Sequence, residues 1–240
     1  MKDTMRSNLV EVRGRLASAC AEHDREVDSI TIVAVTKTFP ASIIKTAVST
    51  GLQDVGESKV QEAEAKIAEL GPIARWHLIG HLQSNKVKKA VQLFDVIQSV
   101  DSLKLAQEID KQACAINKFI DCLIEVNCSG EKQKYGVAPD DCITIVKEIA
   151  KLPNIHLRGL MTIGPLTKDE SKVRKTFRRC AELFEEAKQF GGEDFDTLSM
   201  GMSHDFHLAI AEGATMVRVG SALFGKRGSL DRDDEEPSEA

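Results

Sequence analysis

Several features are missing from this 240-residue sequence, and each absence closes off a class of protein. The six cysteines, Cys20, Cys114, Cys122, Cys128, Cys142 and Cys180, include no Cys-x-x-Cys pair. A chain this long buries a core without disulfide staples, so free thiols are expected. No apolar run reaches transmembrane length. The opening Met1-Lys2-Asp3-Thr4-Met5-Arg6 leads into a mixed polar stretch without a signal-peptide core. A cytoplasmic protein with no membrane partner is therefore expected. No basic stripe marks a nucleic-acid surface. The net charge of −5 sits wholly in the last ten residues, which hold six acids and one base, and residues 1–230 are electrically balanced. We expect residues 229–240 to be an acidic disordered tail and residues 1–228 to form one domain. Neither an internal repeat nor an interdomain linker interrupts that stretch.

With 42% hydrophobic and 29% charged residues, the composition is that of an ordinary globular chain. Residues 5–22 read as an amphipathic helix, with Leu9, Val12, Leu16 and Ala19 at helical spacing. Short apolar runs follow at 30–36, 53–55, 76–79, 96–100, 120–127, 156–162, 197–200 and 216–219. They are rich in Val, Ile and Leu, as buried parallel strands are. Helix-like segments fall between them at 41–50, 58–70, 102–116, 139–151, 168–190 and 203–212. Eight strands alternating with helices over this length predict an α/β fold, a single (β/α)8 TIM barrel with an extra N-terminal helix.

Barrels of this kind place their sites at the C-terminal ends of the strands. Lys37 ends the first strand, just beyond Val33-Ala34-Val35-Thr36. A partly desolvated lysine there can attack an aldehyde. Position alone favours a side chain that merely reaches water. Arg218 alternates with the two valines of Met216-Val217-Arg218-Val219 and so faces away from them. A buried arginine needs a partner, and a ligand or an acid such as Glu57 or Glu125 would serve equally. Ser199-Met200-Gly201-Met202-Ser203 and Gly220-Ser221 stand where the last two strands give way to helices. The corresponding loops of this fold commonly bind phosphate, although turn and cap chemistry also explains them. His77 with His81, and His204 with His207, have no ligand set at familiar metal spacing and read as hydrogen-bonded histidines. Ser58 reads as a helix cap, and Lys86, Lys88 and Lys89 as a solvated helix face.

Five segments carry a resemblance. They are Val33-Ala34-Val35-Thr36-Lys37; Trp76-His77-Leu78-Ile79-Gly80-His81-Leu82-Gln83-Ser84-Asn85-Lys86; Ser99-Val100-Asp101-Ser102; Arg158-Gly159-Leu160-Met161-Thr162-Ile163; and Leu198-Ser199-Met200-Gly201-Met202-Ser203. Met216-Val217-Arg218-Val219-Gly220-Ser221 continues it. With these the sequence resembles the pyridoxal-phosphate homeostasis protein family, whose barrel is like the N-terminal domain of alanine racemase. The resemblance implies pyridoxal 5′-phosphate (PLP) held as a Schiff base on Lys37. It implies phosphate contacts from Ser199, Gly201, Ser203, Gly220 and Ser221, Arg218 facing the pyridine nitrogen, and Met161 lining the pocket. Three positions depart from the family pattern. Ser58 replaces the usual Asn, Ser221 the frequent Thr, and His207 a common acid.

The reading that follows is a PLP-binding protein of vitamin B6 homeostasis, not an enzyme. No residue is assigned a catalytic role and none a metal. Its expected partners are PLP and PLP-dependent apo-enzymes, and it is expected to be a monomer. The alternative is an amino-acid racemase or decarboxylase of the alanine-racemase-like class. Racemisation ordinarily needs a base on each face of Cα. The racemases take the second from a β-domain, and only the tail follows Gly225 here. A Schiff-base aldolase acting on a phosphosugar would use the same lysine and loops.

Overall fold

The computed structural model describes residues 2–225, so the expected acidic tail lies outside the described residues. A twenty-residue helix, α1 (Lys2–Ala21), comes first. Its predicted apolar face is the one that is buried, with Leu9, Val12, Leu16 and Ala19 each at most 4% exposed. Eight parallel strands follow: β1 (Thr31–Val35), β2 (Asp54–Glu57), β3 (Arg75–Leu78), β4 (Val96–Val100), β5 (Ile120–Glu125), β6 (Ile155–Met161), β7 (Thr197–Met202) and β8 (Met216–Val219). Each pairs with its successor, and β8 returns to β1 to close the barrel. The helices between them are α2 (Ala41–Ser49), α3 (Val60–Leu70), α4 (Val87–Leu93), α5 (Leu103–Cys114), α6 (Cys142–Ile149), α7 (Glu170–Gly191) and α8 (Phe206–Ala211), with a short α9 (Ser221–Phe224) after β8. Crossover helices cover the outside because parallel strands must bury both faces.

The structure departs from the sequence pattern at four places. β2 runs two residues past its apolar stretch, through Gly56-Glu57, because Glu57 is itself fully buried. β7 likewise runs on to Met202 through Gly201. The stretch after β3 holds a further helix, α4, whose seven residues are too few to show a period. Ser58 is not a cap: α3 begins after Lys59 and has no side-chain cap.

Two glycines are required by geometry. Gly159 has φ +150°, and a Cβ there would lie 1.8 Å from the Thr197 carbonyl oxygen on β7. Gly201 has φ +91°, and its Cβ would meet Ala209 at 2.6 Å, so it brings α8 close against β7.

Helix α1 packs against α8 and α9, on the β8 side of the barrel. Asn8 donates to the Leu223 carbonyl at 2.9 Å and Arg15 to the Ser203 carbonyl at 3.2 Å. The Arg15 guanidinium also lies 4.6 Å over the Phe206 ring. The added helix therefore ties down the loops that follow the last two strands.

Candidate functional site

At the C-terminal mouth of the barrel lies a cavity of about 460 Å³, within the range of small-molecule sites. Lys37, Ser203, Arg218, Gly220 and Ser221 all line it. They come from the first and last two strands, which closure of the barrel makes neighbours. Of the other residues singled out in the sequence, Ser199 is fully buried beside Arg218. Met161 is fully buried at the end of β6, paired with Ser199 and Glu125, while Ile163 two residues on faces the cavity. Gly201 lies behind the wall against α8. Ser58 and His204 line the cavity.

Lys37 sits in a turn held from below by ions. Thr36 donates its hydroxyl to Glu57 Oε1 at 2.6 Å. The Lys66 ammonium donates to the Thr36 carbonyl at 2.8 Å, to Glu57 Oε1 at 2.7 Å and to Glu62 Oε1 at 2.7 Å. Glu62 in turn accepts from the Thr38 N–H. Thr38 has φ +71°, a left-handed conformation that a branched residue adopts only when its surroundings impose it. Burial pushes the Glu57 carboxyl up, and Lys66 and Thr36 pull against that shift. Burial also opposes ionisation of Glu62, but hydrogen bonds from Lys66 and the Thr38 N–H outweigh it and hold that carboxyl low. Among the described residues, Glu57 Oε2 has no hydrogen-bond partner.

The opposite wall is held by neutral groups. Arg218, 4% exposed, donates to Ser199 Oγ at 2.7 Å and to the Thr162 carbonyl at 2.9 Å. Ser199 donates its own hydroxyl hydrogen bond to Gln98 Oε1 at 2.7 Å. Gln98 Nε2 lies 2.9 Å from His77 Nδ1, and His77 Nε2 lies 2.8 Å from Asp54. This polar file crosses the barrel interior from the mouth to the start of β2. Of the two acids the sequence offered to Arg218, Glu125 is the one whose charge reaches it, while Glu57 is engaged by Lys66. Burial lowers Arg218 to about 10, against the pull of Glu125, so it remains cationic at neutral pH. Burial raises Glu125 to about 7, against the pull of Arg218.

At the rim, Ser203 Oγ accepts from the backbone N–H groups of Gly220 and Ala222, each at 3.2 Å. Ser203, Gly220 and Ser221 thus come together beside the cavity, with the Gly220 and Ala222 N–H groups engaged by the serine oxygen. The four histidines separate. His77 belongs to the interior file, and His81 lies 3.2 Å from Asp101 and stacks on Tyr135. His207 meets the edge of Phe206. Of the lysines read as a solvated face, Lys89 pairs with Glu64 at 2.8 Å.

The spacing of residues did not reveal Gln98, Thr162, Lys66 or Glu62. Gln98 shows in the sequence only as a lone amide within Val96–Val100, and Glu62 and Lys66 only as an i,i+4 pair of opposite charge on α3.

Residues 12–228 match the alanine racemase N-terminal domain family. The pyridoxal phosphate homeostasis protein of Pseudomonas aeruginosa is 40% identical over 225 residues, covering 93% of this chain and 96% of its own. That of Escherichia coli K12 is 38% identical over 224 residues, covering 92% and 95%. The structure of PipY from Synechococcus elongatus with PLP bound superposes with a TM-score of 0.75 at 38% identity, covering 89% of this chain and all of that one. An alanine racemase of Clostridium difficile superposes with a TM-score of 0.72 at 19% identity, covering 95% of this chain and 61% of its own, a likeness of fold alone.

Proposed function

The chain belongs to the pyridoxal phosphate homeostasis protein family, and from that premise we propose that it holds PLP at the barrel mouth through Lys37 as a binding protein with no turnover reaction of its own. One observation carries the reading. Residues that carry an amine, a guanidinium and hydroxyls, Lys37, Arg218, Ser203 and Ser221, line a single cavity of about 460 Å³. That set suits an aromatic aldehyde bearing a phosphate, and PLP is named as the bound group in the related PipY structure.

When bound, the cofactor supplies an aldehyde and an electron-accepting ring. Lys37 would hold it through the ε-amine, in a turn whose two flanking threonines are fixed by Glu57, Lys66 and Glu62. Ser203, Gly220 and Ser221 would hold the phosphate. Ser199, Met161 and Gly201 would act from behind the wall, Ser199 by orienting Arg218. A cationic Arg218 beside the ring nitrogen would keep that nitrogen unprotonated and the ring a weak electron sink. This environment favours retention over carbanion chemistry and supports a carrier above a racemase. Apo-enzymes that need the cofactor would be its clients.

The test is the visible spectrum of the protein with PLP, before and after borohydride, beside Lys37→Ala. A bound-cofactor band is expected in the parent, converted by reduction to a pyridoxyl group on Lys37 and absent from the variant. Addition of amino acids should bring no turnover. Absence of the band at saturating PLP would overturn the binding reading. Sustained amino-acid racemisation or decarboxylation would overturn the carrier reading alone.

A further inference from the structure

A second cavity, of about 540 Å³, opens between the loop after β5 and helix α7. Four bases from one side of α7 line it, Lys172, Lys175, Arg178 and Arg179, against a single carboxylate, Glu182. Part of this charge is engaged. Arg178 lies 3.0 Å from Glu212, Arg179 lies 3.5 Å from Glu182 and 4.0 Å from Asp140, and Lys172 lies 3.7 Å from Asp169. The Arg179 and Lys172 pairs are exposed and exchange readily for another anion, whereas Arg178 grips Glu212 through two hydrogen bonds.

Cys128, half-buried, forms part of the same wall. Cys180 on α7 and Cys142 at the start of α6 form a cluster with it, and both are fully buried. The three thiols are not equivalent. Burial pushes Cys142 up to about 12. The hydrogen bond with Cys128, together with burial, pushes Cys180 up as well. Cys128 moves the other way. The Cys180 thiol, with help from the Arg179 charge, works against its desolvation and holds it lower. The one sulfur of the three that lines the cavity is thus the one whose ionisation its surroundings favour. Thiolate character combined with access is what makes a cysteine reactive.

We propose that Cys128 is a thiol-modification site whose cationic cavity selects anionic disulfides, with oxidised glutathione as the type. The Cys128 proton leaves to solvent, and the thiolate attacks one sulfur of the disulfide. A Cys128–S bond forms, the S–S bond of the reagent breaks, and its second sulfur departs as a thiolate. Cys128 is oxidised and the departing sulfur reduced, so the exchange needs no further oxidant. The reagent's carboxylates would lie among Lys172, Lys175, Arg178 and Arg179, where the local field raises the concentration of anions.

Cys114, exposed on α5, is an internal standard. The full chain is treated with a limiting amount of oxidised glutathione and, separately, of cystamine, whose charge is positive, and each thiol is quantified by peptide mass mapping. Glutathione adducts should form at Cys128 ahead of Cys114 by about tenfold, although Cys114 is the more exposed. With cystamine that preference should vanish or reverse. The double substitution Lys175→Gln/Arg179→Gln should lower glutathione addition at Cys128 and leave Cys114 unchanged, and Cys128→Ser should abolish only the first adduct. Modification of Cys114 first by both reagents, or a rate at Cys128 indifferent to reagent charge, would overturn the proposal. So would loss of the Cys128 and Cys180 thiols to each other without added mass.

Discussion

The two walls of the barrel mouth are built on opposite electrostatic plans. On the β1–β2 side one ammonium, Lys66, serves two carboxylates, Glu57 and Glu62; Lys66 and Glu62 hold the backbone on either side of Lys37, and Glu57 holds the Thr36 hydroxyl. On the β7–β8 side the guanidinium of Arg218 is held by neutral acceptors, the Ser199 hydroxyl and the Thr162 carbonyl. The Glu125 charge pulls on it without preventing a fall to about 10. The first wall ties its charges to one another through Lys66 and so fixes geometry. The second leaves a buried cation oriented but under-compensated, ready for an electron-rich ligand atom. The proposed binding of PLP through Lys37 would draw on both, a fixed turn for the amine and an oriented cation for the ligand.

Removing Lys66 should break this comparison most severely. Lys66→Met leaves the fully buried Glu57 without its cation and Thr36 without a donor to its carbonyl. Breaking a buried pair at one end costs about 3–5 kcal/mol, and denaturant unfolding should show a loss of that size. Adding Glu57→Gln should recover part of it, because the second change removes the stranded charge. A loss under about 1 kcal/mol in Lys66→Met would mean that the ions do not hold the Lys37 turn.

The under-compensated wall should show itself in pH dependence. The Glu125 carboxyl is raised in the folded protein from its ordinary 4.5 to about 7, chiefly by burial. The folded state therefore binds more protons than the unfolded one between those values, and stability falls as pH rises through that window. The contribution is fully present below about 4.5 and lost above about 7. Integrated over the window it amounts to about 3 kcal/mol. Glu125→Gln should match the parent near pH 4.5 and exceed it near pH 8. Parallel stability profiles for the two proteins would show that Glu125 ionises freely in the fold.

The asymmetry between the walls also explains what the sequence made legible. The barrel was readable because Val- and Ile-rich runs alternate with amphipathic segments along the chain, a local signal. Lys37, Ser203, Arg218, Gly220 and Ser221 were readable because strand ends mark the mouth, and all five line the cavity. What supports them was not. The Ser199–Gln98 bond joins residues 101 positions apart, and Lys66 reaches the Thr36 carbonyl across 30. No spacing rule connects positions that only the folded barrel brings together. Ser58 failed for the converse reason: a serine before a helical run satisfies a local rule, yet the helix starts one residue later and the serine faces the cavity. Periodicity likewise stopped β2 at Val55, since a buried glutamate breaks an apolar run without ending a strand.

The smallest predicted effect bears on the rim of the second wall. Ser203 Oγ is the common acceptor for the Gly220 and Ala222 N–H groups. Ser203→Ala strips both of that partner, but Gly220 and Ala222 are only partly buried, so water replaces the hydroxyl in part. The stability cost should be about 1 kcal/mol by denaturant unfolding. The informative readout is ligand selectivity. If this rim holds the phosphate, affinity for PLP should fall by about tenfold, equivalent to about 1.4 kcal/mol, while affinity for pyridoxal, which has the aldehyde and ring but no phosphate, stays level. An equal fall for both would place the phosphate elsewhere and reduce Ser203 to a clamp on the turn after β8. A fall for PLP alone would show that the neutral wall, like the ionic one, divides its labour between holding the chain and holding the ligand.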